Sequence, residues 1–218
     1  MQNHCIGFLH TSSVHIKTFA TICEHFDPSV SLIHLVDEDL LARAQNEGLT
    51  ASIKTDIQKL LEKLVEQGAE VVVCTCSSIG SAAELIKFEN VASQRIDRAM
   101  ADKAVLTGKS LLILAALDST LVPTKLLIEQ SAQNLAQSVK ISTLKVEGAW
   151  QSFESNNLTD YHQKIAAKIK QQILNYDVIV LAQASMAGAT QYCEGVDTPI
   201  LSSPELGVLA ALTALKKS

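Results

Sequence analysis

A chain of 218 residues has room for one large α/β domain or two small ones, and 47% apolar against 19% charged residues gives ample core and excludes a disordered chain. The formal net charge of −5 leaves no basic footprint for nucleic acid, and no apolar run approaches the ~20 residues needed to cross a bilayer. Five cysteines, an odd number without a C-x-x-C pair, point to reduced thiols, a cytoplasmic setting and no structural metal; the first residues do not read as a secretory leader.

Residues 4–9 read as a short strand, followed by the polar loop His10-Thr11-Ser12-Ser13 and a helix over 14–25, with Pro28 at its exit. Residues 31–36 suit a second strand, and Asp37-Glu38-Asp39 precede a helix start or a short turn. Thr50 or Ser52 opens an amphipathic helix that runs to about Gln67. Its apolar residues Ile53, Ile57, Leu60, Leu61, Leu64 and Val65 recur every three or four positions, and Gly68 stops it. The Val-rich run 70–75 reads as a buried parallel strand, and Cys76-Ser77-Ser78 then lead into a small-residue helix. Past residue 92, Arg95-Ile96-Asp97-Arg98 leads into a helical stretch ending near Gly108. A strand over 110–116 is followed by Asp118-Ser119-Thr120, and Pro123 fits the first turn of a helix reaching about Gln137. A strand over 140–146, an irregular loop over 147–157 and an amphipathic helix over 160–174 come next. The strand 177–182 ends in Gln183-Ala184-Ser185, which again suits a helix start. A late strand over 198–201 and a helix over 205–215, capped by Ser203-Pro204, close the chain.

The two halves repeat one order of elements, each with a Val/Ile-rich strand running into small or hydroxyl-bearing residues. The expected fold is therefore α/β, a duplicated parallel-sheet unit whose strand ends share a cleft between the halves. A thiol at position 76 lies at a strand's carboxyl end, facing the positive end of a helix, a field that favours both thiolate and a bound carboxylate. The competing reading makes Cys74 and Cys76 ordinary small core residues. Thr11, Ser12, Ser77, Ser78, Ser119, Thr120 and Ser185, with the backbone at Ala184, either bind a carboxylate or simply cap helices. His10 contacts substrate or tunes Cys76, whereas His34 reads as a hydrogen-bonded core histidine. Arg95 or Arg98 either closes a salt-bridged crossover or holds a second carboxylate. Trp150 and Phe153 are candidates for a lid.

In Ala69-Glu70-Val71-Val72-Val73-Cys74-Thr75-Cys76-Ser77-Ser78, in the run from Asp177 to Met186 and in Thr198-Pro199-Ile200-Leu201-Ser202-Ser203-Pro204, the chain resembles the aspartate/glutamate racemase superfamily, which includes hydantoin racemase, maleate isomerase and arylmalonate decarboxylase. The resemblance implies two pseudo-symmetric α/β domains, residues 1–96 with 204–218 and residues 97–203, with the active site in the cleft between them and the C-terminal helix returning to the first. It implies an isomerase without a cofactor or metal that acts beside the carboxylate of a small acid or amino acid, often as a homodimer. Two cysteines usually serve that chemistry from opposite faces of the carbon. Cys76 stands at the first of these positions, and Gln183 at the second. A glutamine amide does not titrate, so two-base racemisation is not expected, and Gln183 is assigned as a hydrogen-bond donor. The alternatives are a lyase or cis–trans isomerase with Cys76 as nucleophile, or a non-catalytic protein that binds small carboxylates.

Overall fold

Four parallel strands, β1 (Cys5–His10), β2 (Ser31–Val36), β3 (Val71–Cys74) and β4 (Ala92–Arg95), form the first sheet in the order β2-β1-β3-β4. Its helices are α1 (Val14–Phe26), α2 (Asp39–Glu47), α3 (Ala51–Glu66), α4 (Ser77–Leu85) and, from the end of the chain, α9 (Ser203–Leu215). The second sheet repeats the order, β6-β5-β7-β8, with β5 (Ser110–Ala115), β6 (Lys140–Lys145), β7 (Val178–Leu181) and β8 (Ile200–Ser202). Around it lie α5 (Arg98–Thr107), α6 (Asp118–Asn134), α7 (Ala149–Glu154), α8 (Leu158–Gln172) and a 3₁₀-helix over Ala184–Tyr192. The computed structural model describes residues 4–216. It divides into a unit that runs to Asp97 and resumes at Pro204, and a second unit over Arg98–Ser203. Among the described residues, no helix is long and apolar enough to cross a membrane.

The best-marked helix in the sequence is also the best-built one. Thr50 caps α3 by accepting the Ile53 N–H at 3.3 Å. Ile53, Ile57, Leu61 and Leu64 are fully buried, each worth about 1.5–3 kcal/mol. Gly68, at φ +99°, ends the helix as a Schellman turn, with Ala69 N–H on Leu64 O at 3.1 Å and Gly68 N–H on Val65 O at 2.9 Å.

Four expectations are corrected. Residues 92–95 form β4, which Ala92-Ser93-Gln94-Arg95 hides because only one of the four is apolar; it is an edge strand held by its register with β3, Cys74 opposite Arg95. Helix α6 starts at Asp118, so Pro123 lies in its second turn and not its first. The expected loop over 147–157 contains α7, whose Trp150 and Phe153 stack at 4.9 Å and pack on the second unit's core rather than forming a lid. Beyond Gln183 the helix is of 3₁₀ type and spans nine residues, unusually long for that geometry.

Helix α9 seats on the first unit where Gly207 meets Ile96, with Val208, Ala211 and Leu215 buried. A Cβ at position 207 would strike the Ile96 carbonyl oxygen, a backbone atom that cannot rotate away. Ala is normally the better helix residue by ~1 kcal/mol. Gly207→Ala should nevertheless destabilise the protein by about 1–3 kcal/mol, seen as a lower urea midpoint.

Candidate active site

In the first unit the backbone of β3 ends with Thr75 N–H donating to Leu9 O at 3.0 Å. Cys76 follows, still extended (φ −100°, ψ 118°), and is the N-cap residue of α4. The fold therefore sets a thiol at a strand's carboxyl end, against the amides of a helix's first turn. Cys76 is partly exposed, whereas Cys5, Cys23, Cys74 and Cys193 are buried. Burial raises the Cys76 thiol above its ordinary value; the Thr11 hydroxyl and the amides of Ser78 and Ile79 act against that, and Asp97 adds to it. Cys76 makes no side-chain capping hydrogen bond of ordinary geometry, so these amides stabilise the sulfur by their field. The net result corrects the expectation of a helix-stabilised thiolate. In the free protein burial favours the neutral thiol of Cys76.

Ser78 is the neighbour with spare capacity. It is only 8% exposed, and its hydroxyl has no hydrogen-bond partner, a costly state for a buried polar group. Ser77 is also buried, and its carbonyl accepts from Arg95 Nη2 at 3.4 Å. Arg95 does not offer a free cation: its guanidinium grips Asp97 through Nε at 2.6 Å and Nη2 at 3.0 Å, with both residues buried. Gly80 provides the space for it, since a Cβ there would come within 3.1 Å of Arg95 Nε. The salt-bridged reading of this segment is the observed one. Arg98 reaches Ser131 Oγ at 3.1 Å and Gln130 at 3.3 Å.

His10 is corrected. It is fully buried, and both ring nitrogens are engaged, Nδ1 with Thr75 Oγ1 at 2.9 Å and Nε2 with His34 Nδ1 at 2.8 Å. Strand alternation explains this: Phe8 and His10 share the face covered by α1, where Phe19 lies 5.7 Å from the imidazole. Burial, then His34 and His15, push His10 down to about 3, and burial pushes His15 down to about 4. Ser12 is half-buried, and its carbonyl accepts from His15 N–H at 3.3 Å.

The second unit repeats the backbone arrangement with other side chains. Ala182 N–H donates to Leu114 O at 2.9 Å, and Gln183, extended at φ −122° and ψ 137°, is the N-cap residue of the 3₁₀-helix. Its Oε1 accepts from Ala116 N–H at 2.6 Å, which leaves the amide's N–H groups as its donor end. Ala184 is buried. The hydroxyls expected nearby are largely committed. Thr120 donates to Leu117 O at 2.8 Å, and Ser185 Oγ pairs with Tyr161 OH at 2.9 Å, so capping and packing account for both. Ser119 is half-buried. Sequence reading missed His162, whose Nε2 bonds Ser185 O at 2.9 Å while its ring lies on Gly188. Its sequence neighbours carry no signal that sets it apart from a surface histidine. Cys193 is buried, with Sγ on Ala189 O at 3.4 Å, a packed thiol. Among the described residues, no group of three His, Cys, Asp or Glu side chains is placed to hold a metal ion.

Two outcomes follow from these titrations. His10 and His15 stay neutral when folded but take up protons near pH 6.5 when unfolded, so the unfolded state binds more protons in acid. Their contribution is complete above pH 6.5 and is lost as pH falls toward about 4 for His15 and about 3 for His10; urea midpoints should drop over that window, less steeply in His15→Gln. Alkylation of Cys76 by iodoacetamide, followed by peptide mass spectrometry, should rise with pH through a midpoint above the ordinary thiol value of 9.0. A midpoint below 9.0 would contradict the burial argument.

No protein-family model matches the sequence, and no curated protein does. Solved structures do match. An aspartate racemase from Picrophilus torridus superposes with a TM-score of 0.74 at 14% identity, covering 98% of this chain and 94% of that one. A glutamate racemase isoform from Bacillus anthracis gives 0.71 at 14% identity, over 100% of this chain and 83% of that one. An allantoin racemase from Pseudomonas fluorescens gives 0.65 at 16% identity, over 98% and 91%. At such identities the likeness is one of fold, and it extends along nearly the whole chain: two four-stranded parallel sheets flanked by helices, as in the fold of these aspartate, glutamate and allantoin racemases.

Proposed function

We propose that this chain is a racemase-fold isomerase acting on the carbon beside the carboxylate of a small acid or amino acid, with Cys76 as its acid–base group. The observation that carries the reading is the strand-end constellation of the first unit. A partly exposed thiol stands at the N-cap position of α4, the Thr11 hydroxyl and two amides act on it, and the unpartnered Ser78 hydroxyl lies two residues on. A carboxylate oxygen would satisfy Ser78 and would meet the positive end of α4. Those donors would also stabilise the enediolate formed when the α-proton leaves.

In this reading the Cys76 thiolate takes the α-proton, leaving an enediolate and a neutral thiol. The thiol returns the proton to the same carbon. The proton carrier is the protein's own sulfur, and the chemistry calls for no cofactor. Burial sets the resting state as thiol, so the thiolate is a minor form at neutral pH, and turnover should rise with pH. Gln183 has no proton to exchange and acts as a donor to the substrate. A single thiol serves one face of the carbon, so exchange should occur with retention of configuration.

The test is solvent-deuterium incorporation at Cα across a panel of small amino and hydroxy acids, followed by NMR and chiral chromatography. The intact protein should exchange at least one substrate without inverting it, and Cys76→Ser should lose at least ~100-fold of that rate, the scale of general acid–base catalysis. Gln183→Cys should gain inversion. Inversion with Gln183 in place would overturn the one-base assignment, and full activity in Cys76→Ser would remove the thiol from the mechanism. Binding without exchange would mark a carboxylate-binding protein instead.

A further inference from the structure

We infer that His34, His10 and Thr75 form a one-way side-chain clamp across β2, β1 and the end of β3, and that it positions the Thr11 hydroxyl against the Cys76 sulfur. This rests on the reading of Cys76 as the reactive group.

The clamp is three hydrogen bonds long. His34 Nδ1 and His10 Nε2 lie 2.8 Å apart, His10 Nδ1 and Thr75 Oγ1 lie 2.9 Å apart, and Thr75 Oγ1 lies 3.1 Å from Leu9 O. Thr75 has one hydroxyl proton, and its use fixes the direction. If it goes to Leu9 O, then His10 donates from Nδ1 to Thr75 and accepts at Nε2 from His34, and all three contacts are hydrogen bonds. In the reverse direction Thr75 donates to His10, and the Leu9 contact is left without a proton. The forward direction makes one more bond inside a buried cluster, where an unmade bond costs most.

The surroundings suit two neutral rings. The titratable groups acting on His10 are the imidazoles of His34 on β2 and His15 on α1, with ring centres 5.1 and 6.4 Å away. Phe8 and Phe19 close the rest, at 5.8 and 5.7 Å. Burial lowers both His10 and His34, so each ring carries the single proton that a directed chain requires.

What the clamp holds is the exit of two strands. Thr11 directly follows His10, and Cys76 directly follows Thr75; the Thr11 hydroxyl acts to lower the Cys76 thiol. Backbone bonds pin the same level, Thr75 N–H on Leu9 O at 3.0 Å and Asp37 N–H on His10 O at 3.0 Å. Backbone ladders fix strand spacing but not which way the last side chains turn. The side-chain bonds between the ends of β1 and β3 supply that constraint. His10, His34 and Thr75 are thus positioning residues and do not touch the substrate.

The test compares Thr75→Val, which keeps the shape and removes the hydroxyl, with Thr75→Ser, which restores it. Imidazole ¹⁵N resonances should place the His10 proton on Nδ1 in the parent and in Thr75→Ser, and on Nε2 in Thr75→Val. Site-resolved alkylation of Cys76 near pH 8 should slow roughly fivefold in Thr75→Val, the factor for one lost polar interaction with the sulfur, and stay unchanged in Thr75→Ser. An unchanged or faster rate in Thr75→Val, or equal damage in Thr75→Ser, overturns the clamp. If Thr75→Val fails to fold, His34→Leu, half-buried on an edge strand, withdraws the donor at the other end and should slow alkylation likewise. Alkylation is read without turnover, so failure of the clamp and failure of Cys76 as the catalytic group appear in different measurements.

Discussion

The structure turns on where its central strands stop. In each unit the second strand to pair with the middle one ends in the same rung, an N–H of the residue just past the strand donating to the residue beside it: Thr75 to Leu9 in one, Ala182 to Leu114 in the other. That bond keeps the chain extended for one more residue and delivers it to the start of a helix. Cys76 and Gln183 are the residues so delivered. The chemistry available at each position then follows from the side chain alone, because the backbone has already placed it.

Charge is managed so that the thiol is not surrounded by loose ions. Arg95 carries its charge behind the first turn of α4, with Nη2 3.4 Å from Ser77 O. Asp97 cancels it with two short bonds, and removing either partner would strand a buried charge at a cost of about 3–5 kcal/mol. The pair is structural: it ties β4 to the carbonyl of Ser77 and so to the helix start. Burial is the largest influence on the sulfur and favours its protonated form. A protonated thiol is a competent acid and a poor standing nucleophile, which fits proton transfer better than spontaneous covalent addition.

Much of the fold was legible because local signals agreed. Helix α3 carried a capping threonine, a three-four apolar rhythm and a terminal glycine, and all three are used as read. The β3–Cys76–α4 junction was visible as a change from Val-rich to small polar residues. What escaped had no local signal. β4 has no alternation because an edge strand with polar neighbours needs none, and α7 is six residues long, under two helical turns. His10 was misplaced for a subtler reason. Its position at a strand end was right, but the parity of the strand sends it to the α1 face, with Phe8, and only pairing in three dimensions reveals Thr75 and His34 as its partners. The hydroxyls of Thr120 and Ser185 illustrate a general ambiguity, since the composition that binds oxyanions is the one that caps helices, and their partners decide between the two.

The two units differ in what supports the delivered residue, and that difference explains why a glutamine is at home in the second. In the first unit the residue after β1 is Thr11, whose hydroxyl acts to lower the Cys76 thiol. In the second the residue at the corresponding step is Ala116, with no side-chain donor, and the backbone N–H there is taken by Gln183 Oε1 at 2.6 Å. A thiol set against that lone amide would gain little stabilisation as thiolate, whereas a carboxamide uses its oxygen to meet the amide and keeps two protons to donate. Gln183 satisfies a buried backbone donor with its oxygen and keeps its amide protons as the donor end of that strand exit. The fold then presents a thiol at one strand end and, at the matching end of the other unit, a carboxamide that does not titrate.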